Sequence, residues 1–298
     1  MLTLSEQQQL KDVILRVPFS RKVALRFVAG ETLDEALDAS KRLNDLGLDV
    51  TLDFLGESVT DAERAQAATE SYLSSLETIP DSEARASISL KPTQLGLAID
   101  PELCHQNLLR IVGRAHELNN FVRIDMESSA YTQITLDVFE RVFERYRNVG
   151  VVIQSYMRRS EEDVARLVEL GAPVRLCKGA YDEPVSVAFQ RKDEVDASYV
   201  KLMKMLLSGG GPTAIATHDD KMVNATLEFV REQDIDPQSF EFQMLYGVRR
   251  DYQRRIASDG HRMRIYIPYG SEWYSYLMRR MAERPANLIF VTRAVFGD

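Results

Sequence analysis

The stretch FVRIDMESSAYTQITLDVFERVFERYRNVGVVIQSY, residues 121–156, contains a complete strand–helix–strand pattern. It begins with the short apolar run 121–127 and ends with a second run, 149–156. Such runs, rich in valine, isoleucine and phenylalanine, are typical of buried strands. Between them, apolar residues recur every three or four positions over 133–146, which predicts an amphipathic helix. The stretch therefore predicts one strand–helix unit of an α/β fold.

The same alternation extends in both directions along the chain. Six further strands are predicted, at 48–56, 84–92, 173–181, 212–219, 240–247 and 261–270. Helical spacing recurs at 101–119, 160–170 and 193–208, and an additional helix at 33–46 precedes the first strand. Eight consecutive strand–helix units predict a (β/α)8 barrel of the TIM type, in one domain spanning 1–298. A doubly wound open sheet is the alternative, but the turn DFLGES after the first strand lacks its glycine-rich motif.

Four capping signals support the predicted helix starts. TLDE (32–35) and TDAE (60–63) have the form of capping boxes, and Ser160 and Asp219 are candidate N-caps.

Composition narrows the class of protein. The 298 residues are 45% hydrophobic and 28% charged, and 37 basic against 45 acidic side chains give a net charge of −8. A general nucleic-acid-binding role needs a basic face, so we expect none. Cys104 and Cys177 form no disulfide framework, and the four histidines lack metal-ligand spacing, so we expect no metal site.

The N-terminus lacks the pattern of a signal peptide, and no run of 18 apolar residues occurs. We therefore expect a cytoplasmic protein, with peripheral contact at the inner face of the cell membrane left open.

Polar residues occur at the carboxyl end of every predicted strand, where barrel enzymes place their active sites. They are Asp53, Glu57, Lys91, Asp125, Glu127, Gln154, Tyr156, Arg175, Lys178, Tyr181, Thr217, His218, Gln243, Tyr246, Tyr266 and Tyr269. Each alone is typical of a loop residue or a structural ion pair. Together they predict a polar pocket for a large anion, because unpaired buried charge is unfavourable.

The segment YSYLMRRMAERPAN (274–287) adds two adjacent arginines, Arg279 and Arg280. On a helix, Tyr276 lies one turn before them and Glu283 one turn after them. The segment is either an exposed helix face with an ion pair or a carboxylate-binding site, because guanidinium groups bind carboxylates bidentately.

These residues leave three functions open. Lys91 or Lys178 could form a Schiff base in a cofactor-free lyase. A redox cofactor could supply chemistry that the side chains lack. A non-catalytic amino-acid-binding protein would use the arginines alone.

Seven motifs in order resemble the flavin-dependent proline dehydrogenase family in its bacterial single-function form, over residues 20–298. They are SISLKP (87–92), RIDME (123–127), VRLCKGAY (174–181), ATHD (216–219), FEFQMLYG (240–247), RIYIPYG (264–270) and YLMRRMAE (276–283). The resemblance implies a (β/α)8 barrel that holds FAD at the strand carboxyl ends, with the last helix over the barrel mouth. It also implies oxidation of L-proline to 1-pyrroline-5-carboxylate and electron transfer to a membrane quinone.

The resemblance further implies roles for individual residues. Arg279, Arg280 and Lys91 would bind the proline carboxylate, and Glu283 would brace the arginines. The other substrate contacts implied are Tyr266, Tyr276 and Leu245. The catalytic residues implied are Asp125, Tyr181 and Arg175. The cofactor contacts implied are Asp125, Met126, Gln154, Arg175, Lys178, Gly179, Ala180, Thr217 and His218. Two positions depart from the family pattern, Cys177 in a strand and Asp219 where asparagine is frequent.

Overall fold

Eight parallel strands close into a barrel in the computed structural model, which describes residues 26–56, 58–274 and 276. Neighbours in sequence are neighbours in the barrel, and β1 pairs with β8 from Asp49↔Arg264 to Phe54↔Tyr269. The strands are β1 (Asp49–Phe54), β2 (Ala86–Leu90), β3 (Val122–Ile124), β4 (Val149–Gln154), β5 (Val174–Cys177), β6 (Thr213–Ala216), β7 (Phe240–Leu245) and β8 (Arg262–Tyr269). The predicted barrel is confirmed, and the open sheet is excluded.

Within the described ranges one helix precedes β1, and a helix follows each of the first seven strands. They are α1 (Leu33–Asn44), α2 (Ala62–Asp81), α3 (Pro101–Glu117), α4 (Ser129–Arg145), α5 (Ser160–Glu169), α6 (Lys192–Ser208), α7 (Asp220–Glu232) and α8 (Arg250–Ser258). The predicted extra N-terminal helix is α1. The helix predicted over the mouth falls mostly outside the described residues.

Two predicted caps are confirmed and two are wrong by one residue. Thr32 and Glu35 form the capping box of α1, and Asp219 accepts from the Lys221 amide at the start of α7. The N-cap of α2 is Asp61 rather than Thr60, because its carboxylate accepts from the Arg64 amide. Helix α5 begins at Ser160 itself, whose hydroxyl instead donates to the Gln154 carbonyl.

The strands alternate between an apolar face and a polar face. The apolar residues are fully buried, among them Val50, Leu52, Ile88, Val122 and Ile265, and they share one core with helix residues. The intervening residues contact strands that are not their neighbours, as when Arg175 of β5 reaches Asp125 after β3. Such contacts cross the inside of the barrel. The inner face is therefore largely polar, whereas branched apolar side chains usually fill this space.

An ionic network fills the amino-terminal end of the barrel. Glu241 of β7 accepts from Arg264 Nε of β8 at 2.8 Å and pairs with Arg262 Nη2 at 3.3 Å. Arg123 of β3 donates to the carbonyls of Val151 and Pro173 at 3.1 and 2.7 Å. This layer forms a floor beneath the polar groups of the mouth.

Candidate functional site

Asp125 is the centre of the barrel mouth. Its Oδ1 accepts from Arg175 Nη1 at 2.7 Å and from Ser89 Oγ at 2.8 Å, and its Oδ2 accepts from Tyr266 hydroxyl at 2.7 Å. The Arg175 guanidinium also lies 5.2 Å from the centre of the Tyr266 ring. Burial and the Asp125 carboxylate raise the pKa of Tyr266 well above its ordinary value. Side chains from three strands, β2, β5 and β8, thus converge on the carboxylate that follows β3, with the tyrosine held as a neutral donor.

Lys91 brings a positive charge to the same mouth. Its Nζ lies 2.6 Å from Asp53 Oδ1 and 4.0 Å from Asp125 Oδ2. Burial alone would lower the pKa of Lys91, but the carboxylates of Asp53 and Asp125 outweigh it and raise that pKa. Lys91 is therefore an ammonium group at neutral pH, fixed by a carboxylate whose side chain is 1% exposed.

Some buried polar atoms at the mouth have no hydrogen-bond partner among the described residues. They include Gln154 Oε1 and Arg175 Nε. The other end of the Gln154 amide is fixed, because Nε2 donates to the Met126 and Glu127 carbonyls at 3.0 and 2.9 Å. Since buried polar groups are normally paired, these atoms are suited to a polar ligand.

Lys178 stands at the rim in a cluster of two lysines and two aspartates. Its Nζ donates to Asp196 Oδ1 at 2.5 Å and to Asp219 Oδ2 at 2.7 Å, and Lys192 contacts both carboxylates. Burial opposes the charged form of Asp219, but its bonds to Lys178 and the Lys221 amide dominate and lower its pKa. Against the effect of burial, hydrogen bonds to the lysines likewise lower the pKa of Asp196, and the bond to Asp196 raises the pKa of Lys192, so these groups favour their charged forms.

The ends of β6 and β7 are joined through His218. Its Nε2 accepts from the Leu245 amide at 2.9 Å, so any ring proton of the neutral imidazole is on Nδ1. Thr217 Oγ1 accepts from the Asp219 amide at 3.1 Å, which completes the turn into α7. His218, which the resemblance implies for the cofactor, is thus bonded to Leu245, which it implies for the substrate.

The remaining predicted site residues differ in setting. Tyr181 is 41% exposed on the rim, and Tyr276 is buried beside Val28, Leu55 and Trp273. Gly179 has φ +113, and a β-carbon there would overlap the Tyr156 ring. The backbone and this contact therefore require glycine at position 179 whether or not a ligand binds. Ala180 is exposed. Glu57, Arg279, Arg280 and Glu283 lie outside the described residues.

Sequence reasoning gave no role to Ser89 or Asp196, and it named Asp53 only as one of the polar strand ends. Ser89 and Asp53 lie on inner faces of β2 and β1, where strict alternation with apolar residues was the available signal. Asp196 follows Lys178 by 18 positions, and no local pattern connects the two.

The described part of the chain brings together no group of three or more histidine, cysteine, aspartate or glutamate residues suited to a metal ion. No helix within the described ranges is long and apolar enough to cross a membrane.

Comparison with known proteins points to one family. A sequence model described as Proline dehydrogenase matches residues 36–293. Proline dehydrogenase 2 of Bacillus subtilis (strain 168) is 42% identical over 276 residues, covering 93% of this chain and 91% of that protein. Proline dehydrogenase of Deinococcus radiodurans is 35% identical over 299 residues, covering 99% of this chain and 96% of that protein.

A solved structure is also similar. It is that of proline utilization A (PutA) from Bdellovibrio bacteriovorus inactivated by N-propargylglycine, with a TM-score of 0.84 at 28% identity. The match covers 94% of this chain and 34% of that one, so this chain spans about a third of that protein's length.

Proposed function

Because the chain belongs to the proline dehydrogenase family, we propose that it oxidises L-proline to 1-pyrroline-5-carboxylate with FAD as hydride acceptor and a membrane quinone as the final electron acceptor. The observation that carries the proposal is the convergence of Asp125, Arg175, Ser89 and Tyr266 at the mouth, with Lys91 within 4.0 Å of the same carboxylate. Charged groups of both signs and a neutral donor are then available to one small zwitterion.

The fit of the mouth to FAD rests on its unpartnered polar atoms. Gln154 Oε1 is an acceptor and Arg175 Nε a donor, both buried, and a flavin ring carries groups complementary to each. At the rim, Lys178 and Lys192 could contact a phosphate-bearing ligand in competition with Asp196 and Asp219. The residues that would hold FAD are Asp125, Met126, Gln154, Arg175, Lys178, Gly179, Ala180, Thr217 and His218.

The oxidation removes a hydride from C5 of proline and a proton from its ring nitrogen, which leaves a C=N bond. FAD, when bound, accepts the hydride and its electron pair. The chain's own residues must therefore bind the carboxylate, orient C5 and favour loss of the nitrogen proton.

Lys91 can help to bind the carboxylate and to favour loss of the nitrogen proton. Its ammonium, held by Asp53, can pair with the proline carboxylate together with Arg279 and Arg280. A cluster of positive charge also lowers the pKa of the ring nitrogen and favours its neutral form. In this proposal Glu283 braces the arginines, and Tyr276, Leu245, Tyr181 and Tyr266 surround the ring.

The Schiff-base lyase has less support. Such a lysine must lose its proton to attack a carbonyl. The raised pKa of Lys91 keeps it protonated, and Lys178 is engaged by two carboxylates. The positions of both lysines suit a charge contact better than a nucleophile.

An absorbance spectrum tests the proposal directly. The protein is purified, reconstituted with FAD if colourless, and mixed anaerobically with L-proline, with D-proline as the control. We expect flavin bands that bleach with L-proline only. Failure to take up FAD contradicts the cofactor, and bands that persist with L-proline contradict the substrate.

The electron acceptor and the membrane contact need separate measurements. After bleaching, a soluble ubiquinone analogue added without oxygen should restore the flavin bands. Sedimentation with anionic lipid vesicles should carry down more of the reduced protein than vesicle-free controls. Absence of reoxidation by the quinone would contradict that part of the proposal.

A further inference from the structure

Arg249 has an unusual backbone for its position. It lies between β7 and α8 with φ 52 and ψ 44, in the left-handed region that side chains with a β-carbon disfavour. The other described non-glycine residues with positive φ, Glu83, Asn119 and Asp234, all precede strands. Arg249 instead follows a strand, at the barrel end that carries the candidate site. Strained residues at such places persist only where surrounding contacts hold them.

The Arg249 side chain reaches across to the neighbouring loop. Its Nη1 donates to the His218 carbonyl at 2.7 Å, and its Nη2 donates to Asp220 Oδ1 at 2.8 Å. His218 lies in the turn from β6 into α7, and Asp220 is the first residue of α7. The guanidinium therefore fastens one mouth loop to the next with two donors in a fixed fork.

The turn after β6 is also bonded to β7, the strand that precedes Arg249. His218 Nε2 accepts from the Leu245 amide, and the Leu245 carbonyl accepts from Gln253 Nε2 at 3.0 Å. The backbone amide of Gln253 in turn donates to the Arg249 carbonyl at 3.0 Å. The bonds form a closed circuit through Arg249, His218, Leu245 and Gln253. Moving any one of these groups strains the others.

We propose that Arg249 is a positioning residue that holds the His218 loop and Leu245 in one geometry, and thereby sets the affinity for FAD. The inference rests on the proposed function, in which His218 contacts the cofactor and Leu245 the substrate. In this proposal Arg249 contacts neither FAD nor proline and acts through its two acceptors.

The substitution Arg249→Gly separates this role from general stability. Glycine adopts the left-handed conformation freely, so relief of that strain offsets the loss of the bond to the His218 carbonyl, of an exposed ion pair and of the contact with the Tyr252 ring. We expect the melting temperature of the apo-protein to stay within about 2 °C of the parent. We expect the FAD dissociation constant, measured by flavin fluorescence, to rise about fivefold because a fixed loop becomes mobile.

Arg254→Ala is the matched control, because Arg254 is an exposed arginine on the same helix with only a 3.9 Å contact to Asp251. It should change neither quantity. Arg249→Lys keeps the charge but not the fork, so its FAD dissociation constant should fall between those of the parent and Arg249→Gly.

Two results would overturn the inference. One is an FAD dissociation constant for Arg249→Gly equal to that of Arg254→Ala. The other is a large fall in melting temperature that accompanies the weaker binding, since this would mark a structural role. If the parent protein binds no FAD, the proposed function fails and this inference fails with it. If the parent binds FAD and bleaches with L-proline but Arg249→Gly binds FAD as tightly as the parent, the proposed function stands and only this inference fails.

Discussion

Lys91 and Asp53 form an ion pair in which the carboxylate is nearly inaccessible to solvent. Burial raises the pKa of Asp53, and the Lys91 ammonium is the main group that opposes this effect, with a smaller contribution from the Tyr266 hydroxyl. Removing one member of such a pair leaves a buried charge without compensation, whereas removing both does not. The pair is therefore a local determinant of stability as well as a candidate substrate contact.

We predict that Lys91→Met lowers the free energy of unfolding by about 3 kcal/mol at neutral pH. The double variant Lys91→Met/Asp53→Asn should recover more than half of that loss, because no carboxylate is left uncompensated. Urea unfolding of the parent, both single variants and the double variant measures the coupling. A double variant no more stable than Lys91→Met would contradict the assignment.

At this scale, sequence reasoning identified groups of residues but not their partners. The polar strand ends indicated a pocket, and Asp125, Arg175, Lys91 and Tyr266 do meet there. Which of them pair depends on the stagger of the strands, which is set by the closed barrel and not by spacing along the chain. Arg249 carried no sequence signal, because its role depends on a backbone conformation and on a loop 31 positions earlier.

Among the elements, strand β4 contains Gly150, whose lack of a side chain leaves room for Arg123 of the neighbouring strand β3. A β-carbon on Gly150 would lie within 2.5 Å of the Pro173 carbonyl oxygen and closer still to Arg123 Nη1. The Arg123 guanidinium occupies this space while it donates to that same carbonyl. Strand β4 can therefore accept Arg123 in the floor only where it has no side chain.

We predict that Gly150→Ala destabilises the protein by about 3 kcal/mol, because neither the backbone carbonyl nor the anchored guanidinium can move without losing a bond. Gly211→Ala is the control, since its β-carbon would meet nothing nearer than 3.5 Å, and it should change stability by less than about 1 kcal/mol. Denaturant midpoints measure both. Equal midpoints for the two variants would rule out the steric explanation.

The elements were predicted well in kind and less well in extent. All eight strands occur, but each is shorter than predicted, as when 173–181 contracts to Val174–Cys177. The apolar and polar alternation continues past the strand ends, where backbone geometry ends the regular ladder although single bonds persist, such as that from the Tyr156 amide to the Lys178 carbonyl. Helix starts shifted for a similar reason, because Thr60 and Asp61 are both competent caps and only geometry selects between them.

At the level of the whole molecule, the ionic floor makes stability depend on pH. Burial opposes ionisation of Glu241, but Arg264 and Arg262 outweigh it and lower its pKa below the ordinary value of 4.5. A carboxyl with a lower pKa in the folded state stabilises the fold above the unfolded pKa. That stabilisation is lost as the pH falls through the folded value.

We predict that the parent is more stable than Glu241→Gln at pH 7 and that this difference shrinks steadily below about pH 4.5. Urea unfolding at pH 7, 5, 4 and 3 measures it. Glu232→Gln, at an exposed position on α7, is the control and should track the parent throughout. A difference between parent and Glu241→Gln that stays constant across the series would mean that the Glu241 charge contributes nothing.

The eight-fold alternation was enough to predict the closed architecture, because eight strand–helix units in sequence have few other compact arrangements. The polar lining was harder to foresee in full. Serine, threonine and glutamine on inner faces resemble ordinary strand residues until the barrel closes around them.

Closure itself links the two ends of the barrel, since β1 must pair with β8 along its whole length. On the ribosome, the first strand is made long before the last one exists. At roughly 5–20 residues per second, β1 waits ~10–40 s for its partner. Throughout that interval any nascent sheet has two open edges, whose unpaired N–H and C=O groups can pair with another chain until the eighth strand emerges.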